Sequence, residues 1–204
     1  MNDSLTGKAK GGAARRDSLT ADQRKEIASK AAKARWEKQN LPVADYGSPD
    51  RPLKLLDTEI PCYVLSDGTR VLTQEGFMSA LGRARKAKVG TGSSTGVDKM
   101  PPFLMAGNLK QLITEDLIRS TAPVNFRLPS GGAAWGYRAE LLPQVCNIYL
   151  TARDQGILLS SQRHLAAKAD MLVRGLAETG IIALVDEATG YQQVRARDAL
   201  QAFL

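Results

Sequence analysis

Few side chains in this chain are able to do chemistry, and the first to weigh are two adjacent carboxylates, Asp186 and Glu187. They follow Ile181-Ile-Ala-Leu-Val185, a continuous apolar run that reads as a buried strand, turned by Asp186-Glu-Ala-Thr-Gly190. A general acid and base must reach one substrate, whereas neighbours on an extended chain point to opposite faces. An Asp that accepts backbone N–H bonds in the turn is the simpler assignment. His164 is the only histidine. That leaves no multi-histidine metal site, and any Ser-His-Asp or Cys-His arrangement would depend on one residue in the first turn of a helix. Cys62 and Cys146 are the only cysteines, and Cys146 sits on an apolar helix face beside Val145 and Tyr149. Without an export signal, two reduced buried thiols are expected rather than a disulfide.

The glycine-rich stretch Gly90-Thr-Gly-Ser-Ser-Thr-Gly96 is the candidate phosphate loop. A P-loop needs Lys-Ser/Thr directly after its last glycine, and here Val97-Asp98 follows; the dinucleotide pattern fails because Thr95 holds its third glycine position. Tyr137, Arg138 and Tyr191 could stack on bases, but amphipathic core residues with a polar tip explain Trp135 and both tyrosines more simply. No cofactor, no metal site and no catalytic residue is expected.

Charge is more informative. The net of +7 is uneven: residues 1–40 hold ten Lys/Arg against five Asp/Glu, and residues 81–99 hold five against one. A surplus confined to an arm and one loop suits an anionic partner, nucleic acid above all, or else a solvated tail. The candidate phosphate contacts are Lys8, Lys10, Arg15, Arg16, Lys30, Lys33 and Arg35 on the arm, and Arg83, Arg85, Lys86 and Lys88 on the loop. Composition is globular, with 43% hydrophobic and 24% charged residues. No apolar run is long enough for a membrane span, and Met1 to Arg16 lacks the apolar stretch of a secretory signal. A cytoplasmic protein is expected.

These residues need elements to position them. A helix is expected over residues 18–38, with Thr20 as N-cap, Gln23 completing a capping box and Asp22 at the positive end of the dipole. Its apolar stripe is assigned to Ile27, Ala28, Ala31, Ala32 and Trp36, with Ile27, Ala31 and Trp36 as the partner-docking set. Such a stripe is too poor to fold alone. Residues 41–57, rich in Pro and Gly, read as a linker, and residues 58–204 as the body. There Ile60-Pro-Cys-Tyr-Val-Leu65 and Thr69-Arg-Val-Leu72 form a hairpin across the turn Ser66-Asp67-Gly68, and a helix N-capped by Thr73, with Gly76 at N3, runs to a stop at Gly82. The same plan recurs later. Val124 to Leu128 and the segment around Trp135 form a second glycine-turned hairpin, with a helix expected from near Tyr137. Gly68, Val71, Thr73, Phe77 and Leu81 match Gly132, Trp135, Tyr137, Leu141 and Val145 at one offset. The fold class is therefore α+β: two ββα-like units forming a small mixed sheet with helices packed on it, plus an N-terminal helical arm.

Further on, Ser160 or Ser161 is expected to cap a helix that Gly180 ends, with Leu165, Ala169, Leu172 and Leu176 as its seam. The strand Ile181 to Val185 follows, with Tyr191 to Val194 as its return. A last helix from Asp198 meets the end of the sequence after two turns, which suggests a truncated body.

Several strings carry a likeness. Ile60 to Leu72, Pro102-Phe-Leu104, Ser130-Gly-Gly132 with Gly136-Tyr-Arg-Ala-Glu-Leu-Leu-Pro143 and Val145-Cys146, and Ile182-Ala-Leu-Val-Asp-Glu-Ala-Thr-Gly-Tyr191 together resemble one bacterial and prophage family. Its members carry the C-terminal domain named from the myxophage Mx-eight protein p-sixty-three. The likeness covers roughly residues 58–204. It implies a phage or mobile-element origin and a C-terminal domain missing here, and it brings no established activity or catalytic residues. The string from Ser18 to Trp36 likewise resembles a module near the N-termini of bacterial and phage proteins. The first functional reading is a non-enzymatic nucleic-acid-binding regulator using arm and loop, with DNA the expected partner. The second is a protein-interaction module, an antirepressor or inhibitor, docking through the Ala-rich helix. The third is a fragment of an enzyme using Asp186 and Glu187.

Overall fold

Alternation of side chains between two faces builds the centre of this fold. The computed structural model describes residues 19–55, 58–83, 100–196 and 199–200, and the chain divides into two units, Met1–Leu41 and Pro42–Leu204. In the second unit, β4 (Cys62–Leu65) and β5 (Arg70–Thr73) pair across the Ser66-Asp67-Gly68 turn. Asp67 Oδ1 accepts the Thr69 N–H at 2.9 Å there, and that bond holds its exposed carboxyl below the usual range. β6 (Val124–Arg127) and β7 (Ala133–Arg138) make the second hairpin, whose turn uses one positive φ, +87° at Gly131. The two hairpins meet through β5 and β7, antiparallel, with Leu72 opposite Tyr137. Gly136 is required at this seam, because a Cβ there would lie 2.4 Å from the Leu72 carbonyl oxygen.

Residues 41–57, read as a linker, supply two strands. β1 (Ala44–Tyr46) joins the sheet beside β4, giving the order β1-β4-β5-β7-β6, while β2 (Leu53–Leu55) pairs with β3 (Thr58–Ile60) in a separate two-stranded ladder. Every named strand pair is antiparallel. The parallel contact among the described residues is the bridge between Val43 and Arg127, backed by Arg127 N–H to the Pro42 carbonyl at 2.9 Å. That bridge joins the two outer edges, so the sheet curls on itself and hides its edge strands.

Curling gives the sheet an inside and an outside. Ala44, Tyr63, Leu65, Val71 and Phe126 fill the inside, with the Tyr63 and Phe126 rings 5.5 Å apart. The next residues along the strands, Leu72 and Tyr137, face outward into the larger core. There Phe77, Phe103 and Tyr137 form an aromatic triangle with centroids 5.0 to 5.4 Å apart. α2 (Gln74–Ala80) follows β5, N-capped by Thr73 Oγ1 accepting the Gly76 N–H. A short 3-10 turn (Gly107–Leu112) and α3 (Glu115–Ser120) lead to β6. α4 (Leu141–Asp154) buries Leu141, Leu142, Val145, Cys146 and Tyr149, and α5 (Arg163–Thr189) lays Leu165, Ala169 and Leu172 against this core. Each such leucine contributes about 2 kcal/mol by burial.

Four expectations are corrected. The helix expected from Tyr137 starts at Leu141. Tyr137 stays in β7, whose ladder to β5 extends to Ala139 N–H on the Arg70 carbonyl, and the cross-strand bonds outweigh local helical spacing. Neither Ser160 nor Ser161 caps α5; the Gln162 side chain accepts the Leu159 N–H at 3.0 Å instead. Ile181 to Val185 is not a strand but part of α5, which passes through Gly180 and stops at Gly190, φ +77°. A glycine in helical conformation costs only about 1 kcal/mol against alanine, and a five-residue apolar run fits either structure. Tyr191 to Gln193 is accordingly a 3-10 turn, not a return strand. The helix expected from Asp198 falls largely outside the described residues.

Candidate nucleic-acid interface

α1 (Ala21–Gln39) carries the described part of the basic arm. Its start matches the capping box: Gln23 N–H donates to Thr20 Oγ1 at 3.2 Å and Thr20 N–H to Gln23 Oε1 at 2.9 Å. Every described side chain from Thr20 to Asn40 is exposed, Ile27 at 53% and Trp36 at 66%. The stripe read from the sequence does not exist as one face. At about 100° per residue, Trp36 lies about 180° around the helix from Ile27. A flat partner cannot engage Ile27, Ala31 and Trp36 together, so the docking set is corrected to two separate edges.

Charge, by contrast, is sorted around the helix. The six Lys/Arg and three Asp/Glu of residues 21–39 give a net of +3. Asp22, Glu26 and Glu37 fall within an arc of about 60°. Lys30 and Lys33 share that side, with Lys30 Nζ 2.6 Å from Glu26 and Lys33 Nζ 3.9 Å from Glu37. Such exposed pairs stabilise by about 0.5 kcal/mol at most. Their importance is positional: an anion approaching Lys30 or Lys33 also meets the carboxylate beside it, Glu26 or Glu37. Arg24 and Arg35 project from the opposite side, within about 20° of each other, separated only by Ala28 and Ala31. Lys25 stands a quarter-turn away. Ile27 and Trp36 border this acid-free half, one at each edge.

Of the described arm residues singled out, Arg35 alone lies on that face, and Lys30 and Lys33 lie across the helix from it. Arg24 and Lys25 were missed, and plotting charge sign on the helical period would have found them. Lys8, Lys10, Arg15 and Arg16, and Arg85, Lys86 and Lys88 of the loop, lie outside the described residues. Arg83 is tied into the body: its guanidinium donates to Tyr149 Oη at 3.4 Å, and that hydroxyl donates to the Phe103 carbonyl at 2.5 Å. Burial raises the Tyr149 phenol and Arg83 opposes the shift.

The candidates for catalysis have structural partners. Asp186 and Glu187 sit on a helix, not after a strand. Asp186 is buried beside the half-buried Arg195, whose Nε lies 3.1 Å from Oδ2 without aiming its N–H there, an ion pair more than a hydrogen bond. Burial pushes the Cys146 thiol up to about 12, leaving no thiolate for attack near neutrality. Burial also raises Cys62. His164 is exposed in the first turn of α5. Tyr137 is a core residue at 4% exposure, whereas Trp135 and Tyr191 are exposed. Trp135 lines an open groove of about 520 Å³ with Pro49, Leu128 and Ala134. No described helix is long and apolar enough to cross a membrane. Comparison with protein-family models, curated proteins and solved structures finds no match.

Proposed function

We propose that the protein is a non-enzymatic, cytoplasmic nucleic-acid-binding regulator of the kind carried by phages and mobile elements, and that α1 is its contact helix. One observation carries this reading: the acids of α1 are confined to one arc, which leaves Arg24, Lys25 and Arg35 on a half free of them. Alanines between the two arginines let a helix backbone approach a phosphate ridge closely, and guanidinium groups bind phosphate in bidentate fashion. Duplex DNA is the partner, since a straight cationic helix face fits a groove or its phosphate rim. The resemblance to the prophage family is compatible with such a role. No observation favours the enzyme reading, and the split of Ile27 from Trp36 weighs against docking through the Ala-rich helix.

The test is fluorescence anisotropy of a labelled duplex with the full chain. Replacing Arg24 and Arg35 together by Ala is expected to weaken binding by about a hundredfold, at about tenfold per charged contact. Replacing Lys30 and Lys33 by Ala should change it less than threefold. Equal losses in the two variants would sink the assignment to this face.

A further inference from the structure

Six large exposed apolar side chains gather on α5 and the turn after it: Met171, Ile181, Leu184, Val185, Tyr191 and Val194. The first part of α5 spends its apolar seam on α4. Beyond Thr179 the pattern changes. Ile181, Leu184, Val185 and Ala188 recur at i, i+3, i+4 and i+7 on one exposed face, Leu184 at 63%. The opposite side is already occupied, because Asp186 and Arg195 hold the 3-10 turn (Tyr191–Gln193) against the helix.

The carboxylates that flank this ridge stand on its two sides, Glu178 about 70° from its centre on one and Glu187 about 110° from it on the other. From Gly175 to Val194 the chain contains Glu178, Asp186 and Glu187 and no Lys or Arg, in a protein of net charge +7. Asp186 is taken by Arg195, whereas Glu178 and Glu187 are exposed, with no partner among the described residues. Toward the helix start, Arg174 does not neutralise them, since its Nε is held by Asp170 Oδ2 at 2.7 Å. A second copy is a poor occupant. Two such faces would bring carboxylates against carboxylates, and the chain's own cationic helix, α1, has no apolar stripe to offer.

We infer that the distal half of α5 is a docking face for a cationic amphipathic helix of another protein, its apolar ridge on Ile181, Leu184, Val185 and Ala188 and its Lys or Arg side chains on Glu178 and Glu187. This is the side-by-side mode in which anchors at i, i+3, i+4 and i+7 supply affinity and flanking charge supplies selectivity. It makes the body an adaptor that recruits a second protein, a role independent of what α1 binds.

The experiment uses the full chain and two fluorescein-labelled 18-residue peptides with leucine at helical spacing. One carries lysine at all other positions and one carries glutamate. The lysine peptide is expected to bind saturably and at least about tenfold more tightly than the glutamate peptide at low salt. Leu184→Glu should weaken it about tenfold or more, and Glu178→Lys with Glu187→Lys should reverse the preference. All three positions are exposed, so the thermal transition should not move. Similar binding of both peptides, indifference to Leu184→Glu, or a peptide-free dimer that Leu184→Glu dissolves would each overturn the proposal. The Arg24→Ala, Arg35→Ala variant should bind the lysine peptide as the parent does, which separates this face from the nucleic-acid reading.

Discussion

α1 and the first half of α5 are both long helices rich in small residues, and they organise their surfaces by different rules. α5 sorts by hydrophobicity: Leu165, Ala169 and Leu172 line one seam and bury it against α4. α1 instead confines its acids to one arc, with Arg24 and Arg35 opposite, and it buries none of its described side chains. A seam of leucines makes a helix part of a core. A cationic face without a seam contributes almost nothing to folding, and under the proposed function its order around the helix serves what approaches from outside.

The comparison predicts opposite sensitivities. Leu172→Ala should destabilise the body by about 2–5 kcal/mol, through lost transfer energy and a residual cavity, while duplex affinity of the folded fraction stays unchanged. Its counterpart on α1, Ile27→Ala, should change stability by less than about 0.5 kcal/mol; urea unfolding of both variants checks the contrast. The loss expected for Arg24→Ala with Arg35→Ala is the reverse case, large in affinity and nil in the unfolding midpoint.

A smaller effect separates the regions by pH. The Cys146 thiol is held up to about 12 in the folded body, above its value in an unfolded chain, about 8.5. The folded state therefore keeps a proton that the unfolded state loses. The stability this provides is complete below about pH 8.5 and declines as pH rises toward 12. Burial raises Tyr137 and Tyr149 in the same direction. Urea midpoints should fall across that range, and Cys146→Ala should make the fall shallower whatever its stability at neutral pH. The smallest change is that of Lys30→Ala with Lys33→Ala, under threefold in duplex affinity.

Legibility in the sequence followed how local each signal was. The capping box at Thr20 and Gln23, the Ser66-Asp67-Gly68 turn and the Thr73 cap each depend on four or five residues, and they stand as expected. The two hairpin-and-helix units were legible for the same reason. Closure of the sheet was not: it depends on Pro42 and Val43 meeting Arg127, a contact no local pattern announces. Ile181 to Val185 misled because a short apolar run has no period, and Gly180 looked like a stop although the positive φ needed for one occurs at Gly190. On α1 the residue types were legible, but their angular order emerges only when each is placed on the helix. Basic content alone put Lys30 and Lys33 in the expected interface, and the carboxylates beside them move the proposed one to Arg24, Lys25 and Arg35.

The most direct test of that relocation is the salt dependence of duplex binding. Each phosphate contact contributes a slope of about −0.9 in log K against log salt. Removing Arg24 and Arg35 together should lower the steepness by about 1.8, and removing Lys30 and Lys33 should leave it nearly unchanged. A slope that the arginine variant does not alter, or that the lysine variant alters as much, would contradict α1 as a helix whose acid-free half meets phosphate.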